Sequence, residues 1–495
     1  MNDWTELDRA LSEMVCSGSV EVREDGEWLA ELVNLHCELR FSGNDPLVHL
    51  WSEERNLTRR VVRVKEQSAD RIVLEVRRFG RAKPGKLEFL RTDSPRPAGR
   101  ITREQFRARF ERLLAERFPD ARAESLSAAP DLEHSFSGIY VRGRMHEGTR
   151  EWAFLAASPS ENSAAIDGIL GFGLLWLDWT RNHADKRAVE GLRLFVPNGR
   201  SRLLRERALA LSSSTRVEAY EFNEMDSRMQ KVDPADAGNL ESCLVARRDV
   251  ESTLTAARDA LARIRTMVPG AAEAIESRVP PNKSEVAFSF RGLEFARWTR
   301  EGILFGVGEA TEPLTSVKEP ELERSIRQLD LHRSSLADDT KHYLYRAAPE
   351  RWLETLVLAD PSRVDAQLDP AFLYSQVPAL AAGDRGVLDL LGVTRRGRLV
   401  VIELKASEDI QMPMQAVDYW LRVRRHQREG DLQRFGYFPG IELDPKPPLV
   451  WLVAPGLRFH PAANTLLKYL SPEIQISRIG INENWRRGIK VVFRQ

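Results

Sequence analysis

Residues 386–419 read GVLDLLGVTRRGRLVVIELKASEDIQMPMQAVDY. Two apolar, β-branched runs flank a short basic turn, the pattern of a hairpin whose strands are buried. Each run carries charge where a buried strand should have none: Asp389 in the first, Glu403 and Lys405 in the second. An unpaired buried carboxylate costs roughly several kcal/mol, so these groups call for a compensating partner. A metal ion is the simplest one.

Arg395, Arg396 and Gly397 make a three-residue loop with glycine at the left-handed position, which centres the pairing on Arg396. Paired residue numbers then sum to a constant, and Asp389 falls opposite Glu403 with Cβ atoms about 5 Å apart. The strand period of two sets Lys405 on the same face as Glu403. Two carboxylates that close repel unless a cation sits between them. All-oxygen ligation without histidine or cysteine suits Mg²⁺, or Mn²⁺, rather than zinc. Such an ion polarises a phosphodiester oxygen and acidifies a bound water, while Lys405 orients that water or balances charge. Metal-assisted phosphodiester hydrolysis is the implied reaction.

Asp389, then Glu403-Leu404-Lys405 fourteen positions on, resembles the D-(x)n-E-x-K signature of the PD-(D/E)XK (restriction-endonuclease-like) nucleases. Gln415 to Tyr419, QAVDY, is similar to the Q-x-x-x-Y helix motif of the RecB-type branch, with Gln415 and Tyr419 on one helix face. Upstream, ERWLETLV resembles the first helix of these nucleases, and its acidic residue maps to Glu354 better than to Glu350. The run GVLDLLGVTRRGRLVVIELK is also similar to the core of the mismatch-specific endonucleases of archaea and actinobacteria. The resemblance spans residues 349–455. It implies that Asp389, Glu403 and the Leu404 carbonyl hold metal, that Lys405 positions the water, and that Glu354, Gln415 and Tyr419 assist. The proline of the motif's label is absent, since Leu388 precedes Asp389.

The same order of elements occurs earlier in the chain. With Gly148 set on Gly397 the two hairpins superpose without a gap, and LAAS (155–158) meets LKAS (404–407). Asp389 then falls on Tyr140, Glu403 on Phe154, Lys405 on Ala156 and Glu354 on Gln105, so the earlier copy is expected to be degenerate. Apolar packing in place of buried charge is what an abandoned metal site favours.

Residues 20–92 read as strands separated by turn signals. Arg59, Arg60, Arg63, Arg77, Arg78 and Arg81 there could contact phosphates, as the DNA-binding β domain of the mismatch-specific family implies by analogy; a solvated face with alternating charge is the plainer reading. Arg422, Arg425 and Arg428 recur every three residues and could grip phosphates or simply end a solvated helix. The WRRG turn at 485–488 could stack and clamp a strand, but an ordinary exposed hairpin turn is the favoured reading. Asp384 and Arg385 border the site in a Gly-flanked loop.

The expected fold is mixed α/β (α+β, multidomain). It has a β-rich N-terminal module (1–98), a degenerate nuclease-like α/β unit (99–245), a helix-plus-hairpin connector (246–340) and a nuclease-like unit (341–495). At 495 residues the chain is too long for one core. With 73 basic against 73 acidic residues the net charge is zero, so any nucleic-acid partner must be held by local patches. Cys16, Cys37 and Cys243 show neither metal spacing nor a disulfide framework, and the N-terminus lacks a signal peptide's apolar core; both point to the cytoplasm. No stretch reads as a membrane span, and no G-x-x-x-x-G-K-[ST] motif implies a nucleotide cofactor. The leading expectation is a Mg²⁺-dependent nuclease acting on DNA rather than RNA. The alternative is a non-catalytic nucleic-acid-binding or scaffold protein that keeps a nuclease fold.

Overall fold

The computed structural model describes residues 4–16, 20–25, 27–31, 36–42, 45–51, 56–68, 70–77, 84–91, 103–129, 131, 134–184, 188–224, 227–233, 242–280, 284–306, 312–378, 380–381 and 387–495. The chain is a multidomain mixture of helices and several sheets, as its sequence pattern implies. At the N-terminus a helix, Trp4–Cys16, and a seven-stranded antiparallel sheet running from Val20 to Arg91 enclose a core of Leu7, Leu11, Val20, Val22, Ile72, Leu74 and Phe89. Arg59 and Arg63 meet Glu24 and Glu75 at 2.6 and 2.9 Å. Arg78 and Arg81 lie outside the described residues, as do Asp384 and Arg385.

Next comes an α/β unit: α1 (Arg103–Arg117), β1 (Ala121–Ser127), β2 (Tyr140–Glu147), β3 (Arg150–Ala157), α2 (Ile169–Asn182), β4 (Val189–Pro197), α3 (Arg202–Ala208), β5 (Val217–Asn223) and β6 (Arg228–Val232). A connector follows. Its helices α4 (Arg247–Ala256) and α5 (Arg258–Met267) precede a sheet of β7 (Ile275–Arg278), β8 (Val286–Phe290), β9 (Leu293–Thr299), β10 (Gly302–Phe305) and β11 (Glu312–Pro313), and α6 (Glu319–His332) closes it. The second unit contains α7 (Pro349–Ala359), β12 (Leu368–Pro378), β13 (Val387–Thr394), β14 (Leu399–Leu404), α8 (Met412–Glu429), β15 (Leu449–Pro455), α9 (Ala463–Lys468), β16 (Gln475–Ile481) and β17 (Val491–Arg494).

The two units repeat each other strand for strand. Their orders are β1-β2-β3-β4-β5-β6 and β12-β13-β14-β15-β16-β17. In each, the first three strands are antiparallel, the next two join in parallel, and the sixth is antiparallel. β14, LVVIEL, is buried at every position because helices cover both faces of the sheet, which is why it reads as a continuous apolar run.

Register corrects the gap-free superposition of the hairpins. The first closes from Glu147 to Arg150 around a two-residue loop, the second from Thr394 to Arg398 around three residues. Gly397 takes φ +80° there, and a Cβ would sit 2.2 Å from the Glu442 carbonyl oxygen, so only glycine fits. One extra loop residue shifts the strands against each other. Leu155 pairs with Leu194 and Glu403 with Leu452, each partner standing three residues before the proline that ends its strand. Glu403 therefore corresponds to Leu155, Lys405 to Ala157, and Asp389, across the ladder, to Arg142. Phe154, the expected counterpart, faces the opposite side with Phe106 and Phe110. The earlier copy still lacks both carboxylates.

The units share one hydrophobic core, to which α2 contributes Leu170, Leu174 and Leu177 and α8 contributes Met414, Val417 and Trp420. Contacts are reciprocal: α2 touches α9, and α8 touches α3. Leu211 and Leu470 form an antiparallel bridge. The Ser212 N–H donates to the Tyr469 carbonyl at 2.9 Å, and the Ser471 N–H donates to the Ala210 carbonyl at 2.8 Å.

Two local readings differ from expectation. The connector, expected as helix plus hairpin, gains a further strand in Ile275–Arg278 (β7): Pro269 opens a short 3-10 turn after α5, and Ile275 then enters the connector core. The WRRG turn, expected to be exposed, turns Trp485 inward, edge-on to Trp352 at 6.2 Å, and lays the Arg486 guanidinium over the Tyr345, Trp352 and Trp485 rings, while Arg487 stays exposed. Among the described residues no helix is long and apolar enough to cross a membrane.

Candidate active site

β13 and β14 pair with Leu390 opposite Ile402 and Val393 opposite Leu399. Continuing that ladder sets Asp389 opposite Glu403, the register expected from the loop. Asp389 is half-buried, and its Oδ2 accepts the Leu404 N–H at 3.0 Å. Glu403 is 3% exposed, and its Oε2 is buried without a hydrogen-bond partner. Its Oε1 lies 3.4 Å from Lys405 Nζ, which also meets Asp409 Oδ2 at 2.9 Å.

Charge follows burial here. Burial raises the Asp389 pKa against the pull of the Leu404 N–H, Arg351 and Lys405. Burial and then the neighbouring Asp389 hold Glu403 well above the usual carboxylate range. Burial alone would lower the Lys405 pKa, but Glu403 and Asp409 outweigh it and keep the ammonium charged. Such displaced values, grouped at the end of two strands, are a mark of functional sites.

α7 supplies Glu354, which is 4% exposed and accepts from Arg351 Nη1 at 2.7 Å. Burial raises its pKa, Arg351 opposes, and Asp389 adds to the rise. Glu350 caps the stretch after β14, accepting the Ala406 N–H at 3.3 Å. α8 runs under the other face. Tyr419 packs against the cluster that holds Val401 and Val423, and burial, then Glu403 and Asp389, raise its pKa. Gln415 is half-buried one turn earlier on α8. Asp389, Glu403, Lys405, Glu354 and Tyr419 thus form one neighbourhood.

They do not form a closed cage. Among the described residues, the His426, Glu429 and Asp431 trio brings its ligand atoms within 4.8 Å of one another, whereas Asp389, Glu403 and Glu354 do not. That trio is tied up internally, since His426 Nδ1 lies 2.7 Å from Asp431 Oδ2.

The arginine series on α8 divides. Arg422 is buried and turned toward Glu206 at 3.7 Å, so it does not reach for phosphate. Arg425 and Arg428 lie nearer solvent beside Glu429 and Glu473. Three neighbours of the site escape the sequence reading. Asp409 has as its signal only its place four residues after Lys405. Arg351 is visible in retrospect by its i, i+3 spacing to Glu354. Glu276 of β7 is half-buried, and burial and then Glu354 push its pKa up to about 7. Nothing in the sequence places that connector strand beside α7. The contact is set by Gly292, whose missing Cβ would lie 2.4 Å from the Arg351 carbonyl oxygen, and by buried Arg333, which donates to the Arg291 and Leu344 carbonyls.

No family model and no curated protein matches this chain. Among solved structures, a chain of an EndoMS–double-stranded DNA complex is similar over 43% of this chain and 90% of its own length, at 16% identity and a TM-score of 0.17.

Proposed function

We propose that this chain is a Mg²⁺-dependent nuclease of the PD-(D/E)XK type that hydrolyses phosphodiester bonds in DNA. The observation that carries the reading is Glu403. Its buried carboxylate oxygen has no hydrogen-bond partner, and it stands across a strand ladder from a second carboxylate. Native proteins rarely leave such an acceptor unsatisfied without a use for it. A hard divalent cation fits this all-oxygen donor set, with Asp389, Glu403 and the Leu404 carbonyl as its holders. Bound there, Mg²⁺ or Mn²⁺ supplies Lewis acidity toward a phosphodiester and an acidified water.

The side chains do the rest. Lys405, kept protonated by Glu403 and Asp409, donates toward the attacking water or the phosphoryl oxygens. Asp409 holds Lys405 in place. Glu354 accepts from Arg351 and keeps that guanidinium near Asp389. Tyr419, held protonated, presents a hydroxyl donor beside Glu403, and Gln415 extends the same helix face.

The test is to incubate the purified chain with duplex and single-stranded DNA and with RNA, in Mg²⁺, Mn²⁺ or EDTA. We expect metal-dependent cutting of DNA. Asp389→Asn should lower it about 10²-fold or more and Lys405→Ala about 10²–10³-fold, with DNA binding retained. Cutting that survives in both variants would place the chemistry elsewhere. DNA binding with no cutting under any metal would favour the non-catalytic alternative.

A further inference from the structure

The two α/β units meet as the halves of a dimer meet. Each places its long central helix against the other's short one, α2 on α9 and α8 on α3. The segments after the short helices bridge at Leu211 and Leu470. The two hydrogen bonds beside that bridge, Ser212 to Tyr469 and Ser471 to Ala210, exchange under a half-turn. A contact in which i meets j and j meets i is isologous, so a pseudo-twofold axis passes through the Leu211–Leu470 bridge. The hairpins β2–β3 and β13–β14 are related by that axis. Only the second carries a carboxylate pair at the facing positions of Asp389 and Glu403. At the matching places of the first stand Arg142, Leu155 and Ala157; Leu155 and Ala157 are closed into the shared core, and Arg142 lies over the Phe136 and Trp176 rings.

We propose, resting on the nuclease reading above, that one chain engages duplex DNA as an internal pseudo-dimer and cuts only one of its two strands. A duplex has twofold axes of its own, and twofold-symmetric proteins dock with the axes coincident, which sets equivalent elements against opposite strands. A single strand offers no such match, so the pseudo-symmetry favours a duplex substrate. The unit with Asp389 and Glu403 hydrolyses its strand: a water oxygen bonds to phosphorus, one sugar oxygen leaves and takes up a proton, and a phosphate end and a hydroxyl end remain. The unit with Arg142 holds the other strand uncut, because Arg142 and Leu155 stand where the metal-holding carboxylates would have to be.

The test uses the full chain with Mg²⁺, on supercoiled plasmid and on a linear duplex carrying a different fluorophore on each strand. Open circles should accumulate with linear plasmid appearing only after a lag. The linear duplex should migrate intact on a native gel while denaturation releases one cut strand per molecule. Mass photometry of Asp389→Asn on the duplex should give one chain per duplex. Linear plasmid formed without a lag, or a requirement for two chains per duplex, overturns this proposal and leaves the nuclease reading standing. DNA left uncut by the wild-type chain overturns both.

Discussion

Glu403 is held at a cost to the fold. A buried carboxylate facing a second one destabilises the chain whenever no cation is present, and function commonly retains such groups against stability. Glu403→Gln keeps the shape and removes the charge. We expect it to raise metal-free stability by about 1 kcal/mol in urea unfolding while abolishing cutting. A clear loss of stability would instead mark Glu403 as an anchor of the strand pair. This residue, with Asp389 and Lys405, was legible in the sequence because charge inside VLDLL and LVVIEL contradicts the pattern around it. Asp409 was not, since a carboxylate in a polar loop breaks no rule until its distance to Lys405 is known. Trp485 and Arg486 were misread for a related reason: an aromatic beside two arginines looks the same whether it faces solvent or Trp352.

Helix α8 carries Gln415 and Tyr419 and is gripped by α3 through the neighbouring Asp418. Arg207 Nε and Nη2 reach Asp418 Oδ1 and Oδ2, both at 2.8 Å, and Arg207 is 5% exposed. Burial disfavours the Arg207 charge, but Asp418 outweighs it. Removing one partner of a buried pair strands the other charge, so Arg207→Met should cost about 3–5 kcal/mol in urea unfolding and disturb Tyr419 one residue away. Arg207→Asp with Asp418→Arg should recover part of that stability; no recovery would mean that the packing, not the pairing, matters. The contact of β7 with α7 has a pH signature. Glu276, raised to about 7 from the ordinary 4.5, binds a proton in the folded chain that the unfolded chain has already lost. Its contribution is complete below pH 4.5 and is lost as pH rises through about 7. Full-chain unfolding should therefore fall by on the order of 1–3 kcal/mol across that window, and Glu276→Gln should flatten the slope. A slope unchanged in Glu276→Gln would assign it to other groups. Neither contact was legible, because each joins elements more than fifty residues apart through side chains with no pattern of their own.

At the scale of the molecule, the order of elements was legible twice over, because helix and strand periodicities survive when identity does not. The exact correspondence was not, since the two hairpin loops differ by one residue and strand pairing turns that difference into a change of face. The packing of the two units was equally hidden: the apolar faces of α2 and α8 announce a covered surface but not what covers it. That the two units cover each other, around Leu211 and Leu470, has a consequence for heredity. In a homodimer one codon sets both halves, and a change that helps one strand contact is copied onto the other. Here each half has its own codons. Arg142 could stand in place of an acid, and Leu155 in place of a glutamate, without touching Asp389 or Glu403, so the two halves of the molecule are free to change separately.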